Sequence, residues 1–260
     1  MRAPEILSTD DGRRIAYHRT RAKGEAVASP GVVFLGGFRS DMTGTKARHL
    51  ESWAQRQGRA FLRFDYTGHG ASSGAFLDGC IGDWAQDAAD AISALTEGPQ
   101  ILVGSSMGGW IALLCAQRMP ARLAGLVGIA AAPDFTEDSM WEGFDDDQRA
   151  ALETDGQVAL PSEYSDEPYI ITRRLIEDGR QHLVLRRPLV LPCPVRLLHG
   201  TADADVAQSV PLRLLAHAQC PDMRLTLLKD ADHRLSTPRD LSLIERAVEE
   251  VSSADPNGAV

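Results

Sequence analysis

From residue 31 onward the chain repeats one pattern, a short apolar or β-branched run followed by a turn and an amphipathic stretch. The runs are GVVFLGG at 31–37, RAFLRFD at 59–65, QILVGS at 100–105, LAGLVGIAA at 123–131, CPVRLLHG at 193–200 and MRLTLLKD at 223–230. Most are apolar throughout rather than alternating, as parallel strands covered on both faces must be. Helical periodicity lies between them, around 42–57, 82–96, 106–118, 206–219 and 238–251. This alternation, joined by right-handed crossovers, predicts an open, mostly parallel sheet with helices on both faces. Ahead of it, Glu5 to Ser8 and Arg14 to His18 flank Asp10-Asp11-Gly12, a sequence suited to a hairpin turn.

The alternation breaks at residues 134–190, which turn acidic (DFTEDSMWEGFDDDQ at 134–148) and helical, with no strand expected. This stretch reads as a cap inserted over the strand ends, leaving 1–133 and 191–260 as one core. A length of 260 residues suits a single α/β domain with such an insertion. Hydrophobic and charged fractions of 43% and 24% are those of a globular protein. The net charge of −9, with no basic stripe, argues against nucleic acid as a partner. No apolar run approaches the ~20 residues that span a bilayer, and MRAPEILSTDDGRR lacks the apolar segment of a signal peptide, so neither membrane insertion nor export is expected. Cys80, Cys115, Cys193 and Cys220 are widely spaced, which predicts reduced thiols in a cytoplasmic setting rather than a zinc site or disulfide framework.

Gly104-Ser105-Ser106-Met107-Gly108 matches G-x-S-x-G, the sharp strand-to-helix turn that exposes a serine oxygen. ILV directly before it reads as a buried strand and WIALLCAQRM after it as an amphipathic helix, the context that the turn requires. Ser106 is then the candidate nucleophile and Ser105 the variable position. A serine hydroxyl needs a base, and the base an orienting carboxylate, in the chain order Ser, Asp or Glu, His. Of the seven histidines, His233 follows the last candidate strand, in KDADHRLS. Asp203, in RLLHGTADADV, sits at the edge of the preceding strand, whereas Asp205 is expected to begin the next helix. An oxyanion hole needs two backbone N–H donors, assigned to Met107 and to Phe38 of Gly36-Gly37-Phe38-Arg39. The sequence carries no metal motif, phosphate loop or dinucleotide fingerprint, so no metal or cofactor is expected.

With Ser106, Asp203 and His233 in this order, the chain resembles the α/β-hydrolases over nearly its whole length, which implies an eight-stranded sheet with a helical cap. SDMTGTKA, RFDYTGHGASSG, GPQILVGSSMGGW, LPSEYSDE, CPVRLLHGTAD and DADHRLS narrow the resemblance to the family of the mitochondrial α/β-hydrolase-domain-containing protein ten, palmitoyl-protein thioesterases and acyl-glucuronide esterases. It implies hydrolysis of acyl thioesters and activated esters, S-acylated proteins among them; a monomer or homodimer is expected. Trp110, Met140 and Trp141 are expected to line the acyl pocket. No transit segment is read at the start of this sequence, so a bacterial-type, cytosolic relative is expected, and Gly36-Gly37-Phe38 replaces the more usual sequence of the oxyanion loop. The same triad would serve a broad carboxylesterase or an acyltransferase; a non-catalytic binding scaffold would not need its three members.

Overall fold

A computed structural model describes residues 3–160 and 168–253. The elements run β1 (Glu5–Ser8), β2 (Arg14–Thr20), β3 (Gly31–Leu35), α1 (Thr45–Arg56), β4 (Phe61–Phe64), α2 (Ile81–Leu95), β5 (Gln100–Ser105), α3 (Met107–Arg118) and β6 (Leu123–Ile129). After these come α4 (Asp146–Thr154), β7 (Gln157–Leu160), β8 (Tyr169–Thr172), α5 (Arg173–Gln181), β9 (Val195–Gly200), α6 (Ser209–His217), β10 (Met223–Leu228) and α7 (Pro238–Ser253). Eight strands form one sheet in the order β1-β2-β4-β3-β5-β6-β9-β10, antiparallel in the β1–β2 and β2–β4 pairs and parallel in the other five.

Every residue of β3, β4, β5 and β9 is buried, which accounts for runs without alternation. Successive side chains point to opposite faces, so each strand feeds two cores. Val33, Leu35, Leu102, Leu126 and Leu197 pack against α2 and α3, through Trp84, Trp110 and Ile111. Val32, Phe34, Ile101, Val103 and Val127 pack against α1 and α7, through Leu50, Trp53, Ile244 and Val248. The strand β10 is the exception: it lies at the sheet edge, with Leu227 exposed.

The stretch between β6 and β9 departs from the all-helical expectation. It opens with a π-helical turn, Thr136–Trp141, and includes a two-stranded antiparallel sheet of β7 and β8 in which Val158 faces Ile171. QVAL and YIIT are four residues each, too short for a period to register, and pairing with burial makes them strands. Val158 and Ile171 are buried and join Phe144, Leu152, Leu175 and Ile176 in the core shared with α2 and α3. Asp134 closes the base of this stretch. Its buried carboxylate accepts the N–H groups of Val184 and Leu185 at 2.8 and 3.0 Å and pairs with Arg186 at 2.8 Å. The motif LPSEYSDE lies, after Leu160, outside the described residues.

Candidate active site

The parallel strands deliver their C-terminal ends to one edge of the sheet, and the site is built there. Between β5 and α3, Ser106 has φ 54° and ψ −120°, a conformation that L-residues avoid. Its strain is held by hydrogen bonds from its own N–H to the Ile129 carbonyl at 2.9 Å and from Ala132 N–H to its carbonyl at 3.1 Å. The flanking glycines are required by close approach. A Cβ on Gly104 would lie 2.6 Å from Gly109 N, and one on Gly108 would lie 2.6 Å from the Gly36 carbonyl oxygen and nearer still to that of Leu35. The absence of a Cβ at 108 therefore lets the first turn of α3 sit directly on the loop that follows β3.

From the other side, His233 reaches Ser106 out of the loop between β10 and α7. Its Nε2 is 3.1 Å from Ser106 Oγ, and its Nδ1 is 2.9 Å from Oδ2 of Asp203, in the loop after β9. Asp203 Oδ1 accepts the N–H groups of Asp205 and Val206, each at 2.9 Å. The Asp203 side chain is fully buried, which by itself would raise its pKa; the bonds from His233 and Val206 and the charge of His233 outweigh burial and hold it below the ordinary value. With Asp203 ionised, Nδ1 carries a proton and Nε2 is left free to accept one from Ser106.

The loop after β3 brings a second group of donors. Gly37 lies so close that a Cβ there would touch Ser106 Cβ at 3.4 Å. Among the described residues, neither Phe38 N–H nor Met107 N–H has a protein acceptor; Met107 opens α3, where amides have no partner within the helix. The loop is braced by Asp65, whose buried carboxylate accepts Met42 N–H at 2.6 Å and Ala71 N–H at 2.8 Å. A cavity of about 620 Å³ opens above Ser106, walled by Phe38, Phe135, Met140, Leu160, Tyr169 and Ile171.

Residues 30–165 match the family model described as serine aminopeptidase, S33. A rat protein named palmitoyl-protein thioesterase ABHD10, mitochondrial, is 35% identical over 245 residues, covering 94% of this chain and 78% of the relative. The crystal structure of a protein from Agrobacterium vitis S4 superposes with a TM-score of 0.90 at 42% identity, covering 97% and 98% of the two chains. Mouse α/β-hydrolase domain-containing protein 10 superposes with a TM-score of 0.87 at 33% identity, covering 96% and 98%. The chain belongs to the ABHD10-related α/β-hydrolases. Within that family it is a serine hydrolase.

In this α/β-hydrolase, Ser106, Asp203 and His233 form one hydrogen-bonded relay, and Met140 lines the cavity. Two pocket residues expected from sequence lie elsewhere. Trp110 is fully buried in α3, its Nε1–H donating to the His182 carbonyl at 3.0 Å. That helix is buried all round from Met107 to Ala116 rather than amphipathic, so its tryptophan packs in the core. Trp141 turns away from the cavity and stacks beneath Arg180, whose Cζ is 4.4 Å from the ring centroid. Asp205 precedes α6 instead of beginning it, and lines the cavity. Sequence reasoning missed Arg39, an exposed residue of the cavity lining, and Tyr169, half-buried in its wall, for no local pattern marks side chains that only tertiary packing gathers around a cavity.

His199, which the sequence places at the end of a strand before Gly200, has no role in the sequence reading of the site. It is fully buried at the end of β9, with Nε2 3.0 Å from the Val206 carbonyl, so Nε2 bears the proton and ties down the loop that carries Asp203. Burial lowers its pKa despite the opposing charge of Asp203, and its Nδ1 has no partner among the described residues. Asp203, Asp205 and His233 offer ligand atoms within 4.8 Å of one another. Those of Asp203 and His233 are already spent on the relay and on backbone N–H groups, which is a poor fit for a resident cation. Among the described residues no helix is long and apolar enough to cross a membrane.

Proposed function

We propose that this hydrolase cleaves acyl esters and acyl thioesters through an acyl-enzyme on Ser106. His233 Nε2 takes the Ser106 proton as Oγ attacks the acyl carbonyl, and the N–H groups of Phe38 and Met107 receive the oxyanion. The tetrahedral intermediate collapses with loss of a thiol or alcohol, which takes its proton from His233. Water then repeats the sequence on the acyl-enzyme and releases the carboxylic acid. Asp203 fixes the imidazole tautomer and stabilises the imidazolium while remaining ionised.

The observation that carries this reading is the unbroken relay, 3.1 Å from Ser106 Oγ to His233 Nε2 and 2.9 Å from Nδ1 to Asp203. The apolar wall of Phe38, Phe135, Met140 and Ile171 supports an acyl chain as the occupant of the cavity. The relatives' name, palmitoyl-protein thioesterase, supports S-palmitoyl groups on proteins as the first substrates to test, and acyl glucuronides extend the same chemistry to sugar esters. Four free cysteines fit a reducing, cytoplasmic setting for this activity. A fluorophosphonate probe tests the nucleophile: wild type labels, Ser106→Ala does not. Equal labelling of the two proteins would overturn the assignment. Rates on p-nitrophenyl esters of graded chain length, set beside an S-palmitoyl peptide, separate a thioesterase from a broad carboxylesterase.

A further inference from the structure

Three cationic side chains, Arg39, Lys46 and Arg234, line the cavity of a protein whose net charge is −9. Lys46 is committed, since its Nζ donates to the Arg234 carbonyl. Arg39 is not. Among the described residues its guanidinium makes neither a hydrogen bond nor an ion pair; it rests instead against two rings, 5.4 Å from the centroid of Phe76 and 5.0 Å from that of Tyr169. Those rings come from separate parts of the fold, Phe76 from the loop after β4 and Tyr169 from β8.

The placement is built in at the backbone as well. Arg39 has φ 55°, in the left-handed region, within a turn closed by the bond from Ser40 N–H to the Gly37 carbonyl at 3.1 Å. The residue before it is Phe38, whose ring packs edge-on to Phe76 at 5.0 Å. The nearest acid in sequence, Asp41, turns its carboxylate to the N–H and hydroxyl of Thr43 at 2.7 and 2.6 Å instead of to Arg39. Contact with aromatic rings holds a guanidinium in place without using its N–H groups. Arg39 therefore presents up to five donors to the cavity, in the planar fork that matches a carboxylate two bonds at a time.

We propose that Arg39 recognises a carboxylate on the substrate, so that the preferred ester or thioester carries a second, anionic group. This deepens the acyl-hydrolase reading of Ser106 and rests on it. The anion has two sources, the far end of the acyl chain or the leaving group. Two substrate pairs distinguish them: p-nitrophenyl hydrogen glutarate against p-nitrophenyl pentanoate, and 4-carboxyphenyl butanoate against 4-carbamoylphenyl butanoate.

For each pair the ratio of kcat/KM, charged to neutral, is measured for wild type, Arg39→Gln and Arg39→Lys. In the arm that matches the true source, Arg39→Gln lowers the ratio about tenfold or more, the loss expected when a charge-assisted pair is removed. Arg39→Lys retains part of it, keeping the charge without the fork. Wild type alone supplies an independent readout, because its ratio falls as ionic strength rises. Neutral esters turned over normally, with a ratio indifferent to Arg39→Gln and to salt in both arms, would overturn the assignment of Arg39 while leaving Ser106 as nucleophile. Failure to hydrolyse any ester or to label Ser106 would instead overturn the underlying reading, and the Arg39 assignment with it.

Discussion

Replacing Asp203 by asparagine probes the relay at its most buried point. The carboxylate has no exposed side-chain surface and holds four short hydrogen-bond distances, two to backbone N–H groups at 2.9 Å and two to His233 Nδ1 at 2.9 and 3.1 Å. Asparagine offers one acceptor and one donor. Its oxygen best satisfies the Asp205 and Val206 amides, for otherwise two N–H groups face an N–H group. The amide nitrogen then faces His233 and forces Nδ1 to accept, which moves the imidazole proton to Nε2. An Nε2–H cannot take the Ser106 proton. The expected loss is about 10⁴-fold in kcat, with KM little changed, as when the same change is made in other serine triads.

Stability falls as well, because a charge-assisted bond becomes a neutral one at a cost of about 1–2 kcal/mol, or about 2–4 °C in Tm per kcal/mol. The sign of the pH dependence follows from the lowered pKa of Asp203. Its ionised form contributes stability that is fully present above the unfolded carboxyl pKa of about 4 and is lost as pH falls through the folded value. The gap in Tm between wild type and Asp203→Asn should accordingly narrow in acid. Ester hydrolysis and thermal melts from pH 3 to 8 measure the two effects. Activity within tenfold of wild type at pH 7, in a folded Asp203→Asn protein, would refute the tautomer argument.

Two further predictions concern the surroundings of the relay. Gly108→Ala puts a methyl 2.6 Å from one backbone carbonyl oxygen and closer to another, so it should cost about 1–3 kcal/mol and depress kcat by parting Met107 from Phe38. Gly143→Ala, where a Cβ meets nothing within 4 Å, is the control, and equal urea midpoints for the two variants would count against the crowding. Burial lowers Lys46 from 10.5 to about 8, so the unfolded chain binds more protons between those values and stability gained through Lys46 rises with pH there. That rise should be missing from the urea midpoints of Lys46→Met; identical pH profiles for the variant and wild type would show that Lys46 is not desolvated.

The sequence by itself determined the sheet, because fully buried parallel strands leave their mark as apolar runs such as ILV and VVFL, and these need no partner to be read. It determined the relay too. The elbow around Ser106 demands glycines at fixed local offsets, and Asp203 and His233 each follow a recognisable strand, so chain order alone brings them to one edge. Tertiary structure decided what surrounds them. Trp110 and Trp141 carry the apolar surface a pocket wall needs, yet Trp110 is buried in a helix covered on every side and Trp141 is turned under Arg180. The strands β7 and β8 exist because Val158 and Ile171 pair across them and bury into the shared core, a stabilisation with no trace in four-residue runs. Arg39 gains its place at the cavity wall from Phe76 and Tyr169, 37 and 130 residues away in sequence by subtraction of their numbers, and contacts at such separations are settled only when the layers pack.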